Sequence, residues 1–154
     1  MKKLFLLLFA TSLCFIVFAQ EEDEFTKMMN EMYKQEFVDV INENMNLTEE
    51  QNVAFQPILN EFIKEMGNVS SSRIKNQRRF SEYFKGITNE QADEIMKNAS
   101  GNTKNWDNLS IKYYNKVKKQ FDAKTALRFY LIVRKIQNLI DYSIIQDIPL
   151  VENN

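Results

Sequence analysis

Apolar residues recur along this chain at three- and four-residue steps, and nowhere do they alternate in the period of two that a half-buried strand needs. Three glycines and two prolines are also too few to supply the turns of a sheet. Helices are what remains. The first is predicted from about Glu22 to Asn44, with Phe25, Met28, Met29, Met32, Phe37, Val40 and Ile41 on its apolar side. The second starts at Thr48 and carries Val53, Phe55, Ile58, Leu59, Phe62, Ile63 and Met66; it continues to Lys85, where Gly86 is expected to stop it. A third starts at Thr88, with the stripe Ala92, Ile95, Ala99, Trp106, Leu109, Tyr113, Val117 and Phe121. Gly101 is its soft spot, costing about 1 kcal/mol relative to alanine. Asp122 is placed to cap a fourth helix, Ala123 to Asp147, and Pro149 ends it. The expectation is an all-α fold of four helices: a bent, long antiparallel helical hairpin with flanking N- and C-terminal helices, in one domain spanning residues 20–154.

Two of these helix starts repeat one pattern. Leu47-Thr48-Glu49-Glu50-Gln51 returns forty residues later as Ile87-Thr88-Asn89-Glu90-Gln91. A threonine at the N-cap accepts from the amide three residues on, and a glutamine there reaches back to the threonine amide, so each element reads as a capping box contributing about 0.5–2 kcal/mol. Leu47 and Ile87, just outside the helices, can pack on the first turns. Pro57 lies nine residues beyond Thr48, too deep for a first-turn proline, so it removes one helix hydrogen bond and should bend the helix near Val53. A bent long helix suits a cradle-shaped surface.

Ahead of the helices, Met1 to Ala19 reads as a signal peptide: Lys2 and Lys3, an apolar run from Leu4 to Phe18, then Val17-Phe18-Ala19 before Gln20. The run falls short of the roughly 20 residues a membrane span needs. Cleavage takes away the only cysteine, Cys14, and there is no histidine anywhere. Lys2 and Lys3 leave too, which reduces the 20 basic residues to 18 against 21 acidic and makes the net charge −3. An exported domain of that charge gives no reason to expect nucleic acid and, once the leader is cut, has no membrane anchor.

The residue inventory bears on chemistry. Transition metals favour histidine and cysteine ligands, and residues 20–154 contain neither. Met28, Met29 and Met32 form a thioether patch, but methionines at helical spacing belong to core or contact surface. No spacing brings two carboxylates, or a nucleophile and a base, into a catalytic arrangement; Glu90, Asp93 and Glu94 sit in a first helical turn, where they oppose the helix dipole. No cofactor, metal or catalytic residue is assigned. Two basic clusters are interleaved with aromatics: Arg73, Lys75, Arg78 and Arg79 with Phe80, Tyr83 and Phe84, and Lys112, Lys116, Lys118 and Lys119 with Tyr113 and Tyr114. From them Arg73, Arg78, Arg79, Phe80, Tyr83, Phe84, Tyr113 and Tyr114 are taken as a candidate polypeptide-binding surface.

Two Leu-Thr-x-x-Gln-type elements in a small helical domain behind a signal peptide resemble the LTxxQ group of bacterial periplasmic proteins, which includes Spy-like chaperones and the Cpx-pathway inhibitor and which related heavy-metal-resistance sensors resemble. A nearer resemblance is to secreted Bacteroidetes proteins, carried by Phe55-Gln56-Pro57-Ile58, Lys112-Tyr113-Tyr114-Asn115-Lys116, Ala126-Leu127-Arg128-Phe129 and Ile148-Pro149-Leu150. It runs from about Phe37 to Val151. The chain departs from the pattern with Gln56 in place of a tryptophan, Ile87 in place of leucine and Leu127 in place of alanine. The resemblance implies a bent hairpin with a concave face for unfolded or partner polypeptide, an assembly that admits a homodimer, and a periplasmic or released protein. The function expected is non-enzymatic polypeptide binding, as a stress chaperone or an envelope-stress regulator. The alternative is a metal-responsive periplasmic sensor.

Overall fold

Two threonines start the two long helices in the same way. The structure is a computed structural model, and it describes residues 34–146 and 148–151. The segment read as a signal peptide, the predicted start of the first helix with Phe25, Met28, Met29 and Met32, and the predicted end of the fourth helix at Asp147 lie outside the described residues. Among the described residues every regular element is helical: α1 at 34–45, α2 at Glu49–Tyr83, α3 at Asn89–Gln120 and α4 at Ala123–Gln146.

Thr48 and Thr88 both hold extended backbone and both close complete capping boxes. At α2 the Gln51 amide donates to Thr48 Oγ1 (3.2 Å) and the Thr48 amide donates to Gln51 Oε1 (3.0 Å). The same pair of bonds at Thr88 and Gln91 measures 3.3 and 2.9 Å. Asp122 caps α4 by accepting from the Thr125 amide at 2.8 Å. The α1–α2 connection turns at Asn46, the one non-glycine residue described with positive φ (54°), a conformation asparagine tolerates. Arg128 of α4 then donates from Nε to the Asn44 carbonyl (2.6 Å), placing a cation at the end of α1.

Helices α2 and α3 pack as an antiparallel hairpin, and α4 returns along α3. Cross-helix pairs give the direction: Glu61 meets Lys116 and Glu65 meets Lys112, while Arg134 of α4 meets Asp107 of α3. At 1.5 Å per residue, the 35 residues of α2 extend for roughly 50 Å. The turns preceding α2 and α3 therefore stand at opposite ends of the long hairpin, as expected.

The core occupies one end of that hairpin. Phe55, Leu59, Phe62, Ile63 and Met66 of α2 and Trp106, Leu109, Tyr113 and Val117 of α3 are buried with Phe37 and Ile41 of α1 and Ala126, Phe129 and Val133 of α4. Its centre is aromatic. Phe62 stacks edge-on against Tyr113 (centroids 5.2 Å apart) and Phe129 (5.3 Å), and Phe55 meets Phe129 at 5.9 Å. These are the favoured T-shaped arrangements, each adding about 0.5–1.5 kcal/mol beyond burial. Between Met66 and Trp106, by contrast, not one residue is buried.

Two local expectations are refined. Helix α2 runs on through Pro57, whose ring is on the exposed side, so any bend from its missing bond leaves the helix uninterrupted. Gly86 does not stop α2 through a left-handed conformation, because no described glycine has positive φ. The helix ends at Tyr83, Phe84 keeps helical backbone, and the Gly86 amide closes a turn onto the Tyr83 carbonyl at 3.0 Å. Gln56 bridges helices: its amide donates to Asn42 Oδ1 of α1 (3.0 Å) and to Asn52 Oδ1 (2.8 Å).

Candidate polypeptide-binding surface

The basic-aromatic residues singled out in the sequence divide into three groups. Tyr113 is a correction: it is fully buried in the core and cannot contact a partner. It belongs to the same face of α3 as Trp106 and Val117, so the helical stripe, not its lysine neighbours, decides where it points. Tyr114 is half-buried against Tyr130 of α4, rings 6.4 Å apart. Arg73 is paired with Asp141 and Arg79 with Glu94, while Arg78 is half-buried and also engaged. What the hairpin end does present is aromatic. Tyr83 is exposed, and half-buried Phe80 and Phe84 lie 6.3 Å apart with the Lys85 ammonium 5.8 Å from the Phe84 ring.

The second basic cluster is a staple. Lys112 and Lys116, one turn apart on α3, donate to Glu65 and Glu61, one turn apart on α2, at 2.5–2.6 Å. Both ammonium groups also lie near the Tyr113 ring, 5.3 and 5.1 Å from its centroid, within cation–π range. The hydrogen bond from Lys112 holds the Glu65 carboxyl below the ordinary carboxylate range. Burial, foremost, then the Glu65 carboxylate beside the hydroxyl, and last the charge of Glu61 push the Tyr113 phenol far above its usual value. The hydroxyl is buried, and no acceptor meets it in hydrogen-bonding geometry. Lys-Tyr-Tyr-x-Lys is thus a device for joining α3 to both its neighbours.

The surface that stands open is on α4. Leu127, Leu131, Leu139, Tyr142 and Ile145 project on one side; Leu139, Tyr142 and Ile145 are 69%, 63% and 68% exposed. At 3.6 residues per turn the five fall within roughly a third of the helix circumference. Lys135 and Asn138 interrupt the row, and Leu150, 90% exposed, follows beyond the helix. The opposite side of α4 carries Ala126, Phe129 and Val133 into the core, so this helix is apolar on two sides. That Leu127, Leu131, Leu139 and Ile145 are apolar is visible in the sequence; only the packing shows that they are left uncovered.

Elsewhere, a shallow groove of ≈ 630 Å³ follows α3, lined by Met96, Ser100, Thr103, Lys104 and Asp107 among others. Its carboxylate, Asp107, is held by Arg134 at 2.6 Å. Among the described residues, no three acidic, histidine or cysteine side chains converge on a metal-sized site, and no helix is long and apolar enough to cross a membrane. Comparison of the chain with protein-family models, with curated proteins and with solved structures gives no match.

Proposed function

We propose that the protein is an exported, non-enzymatic polypeptide-binding protein that acts on unfolded or partner chains in the cell envelope, as a stress chaperone or a stress regulator. The carrying observation is the row Leu127, Leu131, Leu139, Tyr142 and Ile145 on α4. Large apolar side chains gathered on one exposed face mark an interaction surface, whereas scattered ones need no explanation. Leucine, isoleucine and tyrosine around a lysine and an asparagine suit an extended or helical apolar segment of varied sequence. They offer no pattern of donors that would select one small molecule.

This moves the contact surface from the hairpin to α4. Arg73 and Arg79 keep their charges in ion pairs within the domain, so these two contribute little attraction for an acidic partner. Tyr83 and the Phe80–Phe84 pair at the hairpin end supply a smaller second patch.

The test is suppression of aggregation when a chemically denatured client is diluted beside equimolar protein. Residues 20–154 should suppress light scattering, and the double variant Leu131→Lys/Tyr142→Lys should lose most of that effect while keeping its helicity and melting temperature. Both positions are exposed, so the fold should tolerate lysine. Absence of suppression by the unmodified chain would overturn the chaperone reading. Equal suppression by the variant would remove α4 as the contact surface, and loss of a dimer alone on light scattering of the purified protein would reassign the row to a second copy of the chain.

A further inference from the structure

The hairpin changes character partway along its length. In the span 55–66 of α2 and 106–117 of α3 each helix contributes five buried residues; from 67 to 105 there are none. At that boundary both helices carry poor helix formers. On α2 the stretch is Gly67-Asn68-Val69-Ser70-Ser71-Ser72, and on α3 it is Asn98-Ala99-Ser100-Gly101-Asn102-Thr103. Both lie between the same two crossings of the hairpin, Glu65–Lys112 on one side and Asn76–Ile95 on the other. Glycine leaves the backbone freest, while serine, asparagine and threonine compete for its hydrogen bonds. That competition is visible here: Ser71 Oγ donates to the Gly67 carbonyl (2.8 Å), Ser72 Oγ to that of Asn68 (3.3 Å) and Thr103 Oγ1 to that of Ala99 (3.1 Å). Such back-bonding weakens and bends helices.

Close packing does not account for the two glycines. A Cβ on Gly101 would meet nothing within 4 Å, and one on Gly67 would meet only the flexible end of Lys34, at 3.1 Å from Cε. Beyond the weak stretches the two arms are tied by polar contacts. Asn76 donates from Nδ2 to the Ile95 carbonyl (3.1 Å) and leaves its own buried Oδ1 without a partner, and the Arg79–Glu94 pair is half in solvent. Exposed pairs of this kind hold helices together weakly. Arg73 and Asp141 tie the arm to α4.

We propose that the hairpin is jointed: residues 67–72 and 98–103 form a double hinge beyond which the two helices of the distal arm, residues 73–97, part and unwind as one cooperative unit while the aromatic core stays closed. Opening releases the half-buried apolar residues of the arm, among them Ile74, Phe80, Phe84 and Ile95, to solvent. The inference stands on the fold alone and is independent of the polypeptide-binding reading.

Hydrogen exchange of residues 20–154, with no client present, tests it. Amides of the arm should exchange at least about tenfold faster than those of 55–66 and 106–117, in keeping with sub-global opening. Gly67→Ala/Gly101→Ala should slow the arm by about fivefold per substitution and leave the core rates unchanged. One common rate for arm and core, or equal slowing of both in the variant, overturns the proposal. Spin labels give a second readout, since the chain after the leader has no cysteine of its own. The distance distribution between Glu82→Cys and Lys118→Cys should be broader than that between Lys64→Cys and Lys118→Cys, and equal widths overturn the hinge.

Discussion

Replacing Tyr113 with phenylalanine should stabilise this protein, although Tyr113 is among the most buried residues it has. The ring does the packing: it meets Phe62 edge-on at 5.2 Å and lies beneath the ammonium groups of Lys112 and Lys116, and a phenylalanine keeps all three contacts. The hydroxyl contributes nothing comparable, being removed from water with no hydrogen-bond partner. A buried polar group left unsatisfied costs about 1–3 kcal/mol, and removing it leaves only a small void to subtract, so Tyr113→Phe should gain about 1 kcal/mol. For a chain of this size that is a rise of about 4 °C in melting temperature, with a matching increase in urea midpoint at unchanged slope. A second signature lies at high pH. Burial raises the folded phenol above its unfolded value of 10.0, so above that pH the unfolded chain gives up the proton while the folded one retains it. Stability must then fall as pH rises beyond 10, and the phenylalanine variant should lose this part of the decline. A loss of about 1 kcal/mol on substitution would refute the reasoning, because it would mean that the hydroxyl is bonded to Glu65 and supports the fold.

The two capping boxes and the carboxylates give further tests. Thr48→Ala should lower stability by about 1 kcal/mol in urea denaturation, because α2 enters the core within two turns of that cap; Thr88→Ala, at the far end of the jointed hairpin, should speed exchange in the arm while moving the urea midpoint less. Equal midpoint shifts would argue that the hairpin unfolds as one piece. Glu65 is held below its ordinary 4.5 by the Lys112 hydrogen bond, and Asp122 below 3.8 by the Thr125 amide. Depressed carboxylates add stability above their unfolded values and lose it as protons bind, so stability measured by circular dichroism should decline as pH drops below about 4.5, and Glu65→Gln should be both less stable at neutral pH and less acid-sensitive. A flat profile between pH 5 and 3 would remove these groups as contributors.

Much of the architecture was legible because helix formation here rests on short-range rules. Thr48 with Gln51 and Thr88 with Gln91 start helices through bonds three residues apart, and the stripe from Trp106 to Val117 names its own buried face through the helical period. The stripe even contained the answer for Tyr113, which the flanking lysines obscured. The binding surface was not legible to the same degree. A cluster such as Lys112, Lys116 and their tyrosines looks like a free basic patch until the partner helix is known, since Glu61 and Glu65 lie some fifty residues away in sequence and opposite them in space.

Alone, the sequence therefore determined that the described chain is all-α, where its long helices begin, and which side of α3 is buried; each follows from contacts within a few residues of one another. The tertiary structure decided which charges are consumed in ion pairs, which apolar side of α4 is left uncovered, and that the core ends at Met66 and Trp106 while the hairpin continues. Those outcomes depend on how many helices reach a given height of the bundle, and no local period records that number.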